Sequence, residues 1–288
     1  RSLVRLQLPL PFIANVIKKF LQKLFKIISY GIFFKIYGNI EKSIDIKSDK
    51  RIEVKVVNTE KDLNYRVYNI KDGRLYTDRI QDTAVMLDNK IIKEPSFQLR
   101  YTHDSKIYNS NIEDNVVFKK GTPRKLRKLN GSVLSLLTGG GGNNNYWHWL
   151  FDVLPRLGLF RKTASLDSID YFLLPDHLRK FQIETLDCIN IPKHKRLSSE
   201  KFRHIKAKEL MITDHPVVTS GDATKDITNI PKWISLWLKE NFLKTKITPS
   251  NKNIAKVYID RNDKNLKSSP QRVLKNENEI KKYLLKNN

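Results

Sequence analysis

The chain has 288 residues, of which 40% are apolar and 29% charged, with 54 basic against 30 acidic side chains and a net charge of +24. This apolar share builds a buried core and excludes a disordered tail or a fibrous protein, and no run of about 20 uncharged apolar residues marks a membrane-spanning helix. The single cysteine, Cys188, excludes an intrachain disulfide and a multi-thiolate zinc site.

Residues 1–40 carry Arg1, Arg5, Lys18, Lys19, Lys23, Lys26 and Lys35 and no acid. Apolar residues recur at three and four (Ile13, Ile17, Phe20, Leu21, Leu24, Ile28), so residues 1–45 read as a basic amphipathic helical segment broken near Gly31. Two readings stand side by side. One is an anchor in the interface of an anionic membrane, and the other is a helix packed on the core. A signal peptide fits less well, because lysines interrupt the apolar stretch.

Residues 51–120 read as a β-rich, antiparallel subdomain. Asp72-Gly73 predicts one hairpin turn and Asp88-Asn89 a second. From residue 130 strands and helices alternate, which predicts βαβ units and a mostly parallel sheet. The predicted strands are 132–137, 170–174 and 209–212, and the predicted helices are 146–161, one that follows Pro175 and runs to about Cys188, and 231–243. A polar linker at 248–253 precedes a strand at 255–259 and a helix from about Asn276 to Leu285. The expected domains are therefore 46–247, with the hairpins inside it, and the start of a second α/β domain at 248–288. Arg1 and Asn288 both read as cut ends.

The densest chemistry follows the strand at 132–137. A glycine run, 139–142, leads into Asn145-Tyr-Trp-His148-Trp-Leu-Phe-Asp152-Val-Leu-Pro-Arg156. Helical spacing puts His148, Asp152 and Arg156 on one stripe, and Asn145 at the helix start, where it caps or binds. His148 and Asp152 form either a surface pair or a partly buried proton-exchanging pair. The glycine run lacks the lysine and hydroxyl of a P-loop. A second basic loop holds Tyr258, Arg261 and Arg272 ahead of Asn276 and Glu277. Its arginine forks and helix start suit a pyrophosphate, and a solvated loop is the plain alternative. The remaining histidines, His215 among them, show no metal-ligand spacing, and Cys188 has no neighbouring histidine to activate it.

These two segments, Asn145 to Leu157 and Tyr258-Ile-Asp-Arg261 with Arg272, Asn276 and Glu277, resemble glycosyltransferase family 61. The resemblance runs from about residue 50 to the end. It implies an α/β protein of GT-B type, two Rossmann-like domains across a cleft, with the second one incomplete here. It implies an inverting enzyme moving a sugar from a nucleotide donor, UDP-linked in most relatives, to a glycan or lipid-linked glycan acceptor. Such relatives work without a metal or other cofactor, often in bacterial capsule or surface-polysaccharide synthesis. Carried over residue by residue, Asp152 is the first choice of catalytic base and His148 its close rival, or the group that orients it. Asn145 and Arg156 become substrate-binding, and Tyr258, Arg261, Arg272, Asn276 and Glu277 hold the nucleotide sugar. About 100 further residues would complete the donor domain. The expected setting is cytoplasmic, at the inner face of the membrane if residues 1–40 anchor there. The rival readings are a membrane-peripheral scaffold without catalysis and, from charge alone, a nucleic-acid module. No nucleic-acid partner is expected, since no RRM, KH, zinc-finger or helix-turn-helix signature occurs.

Overall fold

A computed structural model of the chain describes residues 10–60, 63–78, 82–101, 107–109, 111–137, 145–243 and 276–286. It divides into two units, Arg1–Thr245 and Lys246–Asn288.

The first unit opens with helix α1 (Leu10–Tyr37). Strands β1 (Lys42–Ile44), β2 (Ile52–Glu60), β3 (Leu63–Lys71), β4 (Arg74–Thr77), β5 (Asp82–Leu87), β6 (Lys90–Ile92), β7 (Phe97–Tyr101) and β8 (Ile107–Asn109) follow, then helix α2 (Val116–Lys120). The alternating part comes next: β9 (Arg127–Ser135), helix α3 (Tyr146–His148), a π-helical turn (Trp149–Val153) and α4 (Pro155–Arg161). It continues with β10 (Tyr171–Leu174), α5 (Lys180–Cys188), β11 (Arg196–Ser198), β12 (His204–Thr213), α6 (Ala223–Asp226) and α7 (Lys232–Phe242). In the second unit the described helix is α8 (Glu277–Lys286).

All twelve described strands belong to one mixed sheet. Strands β9 to β12 are mutually parallel, as the strand–helix alternation predicts, and lie in the order β11-β10-β9-β12. Numbered by appearance, that is third, second, first, fourth, the order in which a doubly wound α/β sheet begins. The antiparallel strands do not form a separate subdomain. They continue the sheet beyond β12, whose second edge pairs β4 through His204–Lys206 and β3 through Glu209–Thr213.

The predicted hairpin at Asp72-Gly73 is therefore corrected. β3 and β4 pair with β12 in one unbroken register, so they are two halves of a single bent strand. The bend needs both residues. Asp72 takes a left-handed backbone with φ 57°, and a Cβ on Gly73 would sit 2.6 Å from Leu210 Cβ. The strand's outer edge is then shared, β2 on β3 and β5 on β4. The second predicted hairpin is present. Asp88, also left-handed at φ 54°, joins β5 to β6.

Side chains alternate across the sheet, as a pleat buried on both faces requires. Leu134, Leu136, Phe172 and Leu174 meet the helices through Trp149, Leu154, Leu157 and Ile234. Val133, Leu173, Leu210 and Ile212 point the other way, into a cluster with Tyr68, Ile70 and Leu75. Trp233 of α7 is buried, with its ring nitrogen donating to the Tyr65 hydroxyl at 3.1 Å. Trp237 packs against Gly158 of α4, where a Cβ would lie 2.8 Å from the indole nitrogen.

Candidate active site

The chain leaves β9 on one side of the sheet to form β10 and returns to form β12 on the other, so the strand order reverses between β9 and β12. Open α/β sheets bind ligands at such a point, beyond the carboxyl ends of the strands. A recess of about 480 Å³ lies there, walled by Ser135 and Leu137 at the end of β9 and by Thr213, Asp214 and His215 at the end of β12. Tyr65, Arg66, Glu94 and Arg156 complete its polar side.

The helical run after β9 hangs over these strand ends. Asn145 caps it, its Oδ1 accepting from Trp147 N at 2.9 Å. Pro155 starts α4 without an N–H to offer the Phe151 carbonyl, and its ring would crowd that oxygen. The turn just upstream is correspondingly wide, with Leu154 N donating to Trp149 O at 3.0 Å, five residues back.

His148 and Asp152 meet on this turn. Their Nδ1 and Oδ2 are 2.5 Å apart, a short charge-assisted contact. The carboxylate beside Nδ1 assigns the ring proton to that nitrogen and leaves Nε2 as the acceptor of the neutral imidazole. The two side chains differ in access: 31% of the His148 side chain is exposed, against 6% for Asp152. The pair is thus the partly buried one, not a solvated surface pair.

Spacing gave no reason to single out His215, which stands on the other side of Asp152. Its Nε2 is 3.8 Å from Asp152 Oδ1, a buried oxygen that accepts no hydrogen bond. Its Nδ1 accepts from the amides of Val217 at 3.2 Å and Val218 at 2.9 Å. The proton therefore sits on Nε2, toward Asp152. Burial holds the imidazole neutral and pushes its pKa down to about 4, against the opposing pull of Asp152. Protonating Nδ1 would also turn an N–H against two amide N–H groups.

Arg156 is buried, and its guanidinium is anchored to main-chain oxygens. Nε donates to Asp152 O at 3.0 Å, and Nη1 to Thr213 O at 2.9 Å. Burial lowers its pKa to about 10, which still leaves it charged at neutral pH. Asp214 is held by Arg66 Nε at 3.0 Å and by the Tyr68 hydroxyl at 2.7 Å. The arrangement is a row of His148, Asp152 and His215, braced by Arg156, beside a charged recess at the strand ends. It can take a proton from a hydroxyl at the exposed imidazole edge. His148 itself is not part of the recess wall.

Of the second predicted site, Asn276 and Glu277 are described. Asn276 O accepts from Glu279 N and Ile280 N, and Glu277 is the buried first residue of α8. Tyr258, Arg261, Arg272 and the glycine run lie outside the described residues. Among the described residues no three His, Cys, Asp or Glu side chains cluster as metal ligands.

The family model described as Glycosyltransferase 61 matches residues 146–288, from the start of α3 onward. No curated protein and no solved structure matches the chain.

Proposed function

Because the chain belongs to glycosyltransferase family 61, we propose that the row on the π turn activates an acceptor hydroxyl for sugar transfer. The observation that carries this is the 2.5 Å contact between His148 Nδ1 and Asp152 Oδ2, at the carboxyl end of the parallel strands.

In this reading His148 is the base. Its Nε2 takes the hydroxyl proton while the oxygen attacks the anomeric carbon opposite the departing nucleotide diphosphate, with inversion. Asp152, placed first on sequence grounds, serves better as the orienting group, since its carboxylate is buried and already engaged by the imidazole. It fixes the tautomer and steadies the imidazolium that forms. His215 and Arg156 hold Asp152 in place from its other sides. Asn145 sets the start of the helix that presents His148. The strand-end recess, with Arg66, Glu94 and Asp214 at its polar side, suits a hydroxyl-rich saccharide of the acceptor.

The donor is proposed to be a UDP-sugar, held through Tyr258, Arg261, Arg272, Asn276 and Glu277, with arginine charge stabilising the leaving diphosphate and no metal required. The acceptor is proposed to be a growing surface glycan.

The test is acceptor-dependent release of UDP across a panel of UDP-sugars and oligosaccharide acceptors. His148→Ala and Asp152→Asn should each lower turnover at least about a hundredfold while leaving donor affinity within about threefold. Near-normal turnover in His148→Ala refutes the base assignment, and failure to release UDP with any donor–acceptor pair refutes the reading.

A further inference from the structure

Helix α1 holds five lysines and no acid in 28 residues. From Ile17 to Ile28 its apolar side chains are not buried. Ile17, Phe20, Leu21, Leu24, Phe25, Ile27 and Ile28 are 44–68% exposed. At 100° per residue these seven fall within an arc of about 160°, and Lys18, Lys19, Lys23 and Lys26 all fall outside it.

The helix meets the body through its other side, near its C-terminal end. The Tyr37 hydroxyl accepts from Leu126 N at 2.8 Å, and its ring stacks on Phe33 and meets the His204 ring edge-on, at 5.0 Å between centroids. Arg74 lies over the same Tyr37 ring at 5.4 Å. The body therefore grips the face opposite the apolar arc, and the arc stays exposed, with Ile17, Leu21 and Phe25 facing Pro123 and Arg124 across an open hollow. Alongside, Arg124, Lys125, Arg127, Lys201 and Arg203 gather near Phe25 and Phe33, with Glu200 as the one acid lining that hollow.

An apolar arc flanked by lysines and backed by a basic surface fits one kind of partner. We propose that α1 lies in the headgroup region of an anionic lipid bilayer, its apolar arc inserted and its lysines against lipid phosphates, with the first unit carried on its other side. No described helix is long and apolar enough to cross a membrane, which suits insertion parallel to the surface. A second copy of the chain is the weaker occupant, because pairing the two apolar arcs would bring ten lysines from two acid-free helices together. This proposal does not depend on the transferase reading.

Flotation of the full chain with vesicles of phosphatidylcholine alone, and with equimolar phosphatidylcholine and phosphatidylglycerol, tests it. The chain should float with the anionic vesicles at least about tenfold more than with the neutral ones, and less as salt is raised. The double variant Phe20→Glu, Phe25→Glu should lose flotation at least about tenfold while keeping its circular dichroism and melting temperature, since both side chains are exposed. In the otherwise unaltered chain, Phe25→Trp should give a blue-shifted emission on adding anionic vesicles. Absence of flotation, equal flotation with neutral vesicles, or flotation that survives the double glutamate variant overturns the proposal. So does a dimer by sedimentation that the double variant dissociates while wild type ignores the vesicles.

Discussion

Acid should unfold this protein through two histidines that the fold holds neutral, and His215 is the one that bears on the site. Its folded pKa is about 4, against 6.5 for a free histidine. The folded value is the lower one, so between these limits the unfolded chain binds more protons than the folded one. Stability is then complete above about pH 6.5 and is lost as pH falls toward 4. At about pH 5 the unfolded ring is almost fully charged and the folded ring mostly neutral, a loss of roughly 2 kcal/mol relative to about pH 8. His204 adds a similar loss. Its Nδ1 donates to Arg124 O at 2.7 Å, and its Nε2 accepts from Arg74 Nε at 2.7 Å. Burial, with the Arg74 charge beside it, lowers its pKa to about 3.

The informative variant is His215→Asn, whose side-chain oxygen can still accept from the Val217 and Val218 amides. Urea unfolding is read by tryptophan fluorescence, since Trp147, Trp149, Trp233 and Trp237 all lie in the first unit. Whatever the variant costs at about pH 8, its gap from wild type should shrink by roughly 2 kcal/mol at about pH 5, near 1 M in urea midpoint for a slope of about 2 kcal/mol/M. A gap that stays constant with pH refutes the buried neutral imidazole beside Asp152.

Two further outcomes test the packing around the site. Gly158→Ala should cost about 1–3 kcal/mol in urea unfolding, because the new methyl meets the Trp237 indole at 2.8 Å where α4 crosses α7. An unchanged midpoint would show that this contact gives way freely. Arg156→Met should destabilise by about 2–4 kcal/mol, since it strands the buried carbonyls of Asp152 and Thr213, and should lower turnover along with stability. Full turnover in the folded variant would rule out a bracing role for Arg156.

Much of the local structure was legible in residue order. Four-residue spacing put His148 and Asp152 on one helical stripe, Asn145 stood at the helix start as a cap or a ligand-binding group, and apolar runs marked β9 and β10. These features depend on neighbours within about one helical turn or along one strand, which periodicity and side-chain chemistry decide directly. Asp72-Gly73 shows the limit of such reading. The pair carries the chemistry of a tight hairpin, yet β12 offers a continuous edge to both flanking segments. The same left-handed residue and close-packed glycine then make a bend in one long strand.

Facts about distant neighbours belonged to the tertiary structure alone. His215 stands 63 positions after Asp152 in the chain, and only the parallel pairing of β12 with β9 brings the two together. The recess has the same origin, since it exists where the strand order reverses. The amphipathic pattern of α1 was plain in the sequence, but which face the body would cover was not. That was settled by the docking of Tyr37 against Leu126 and His204, on the side away from the apolar arc.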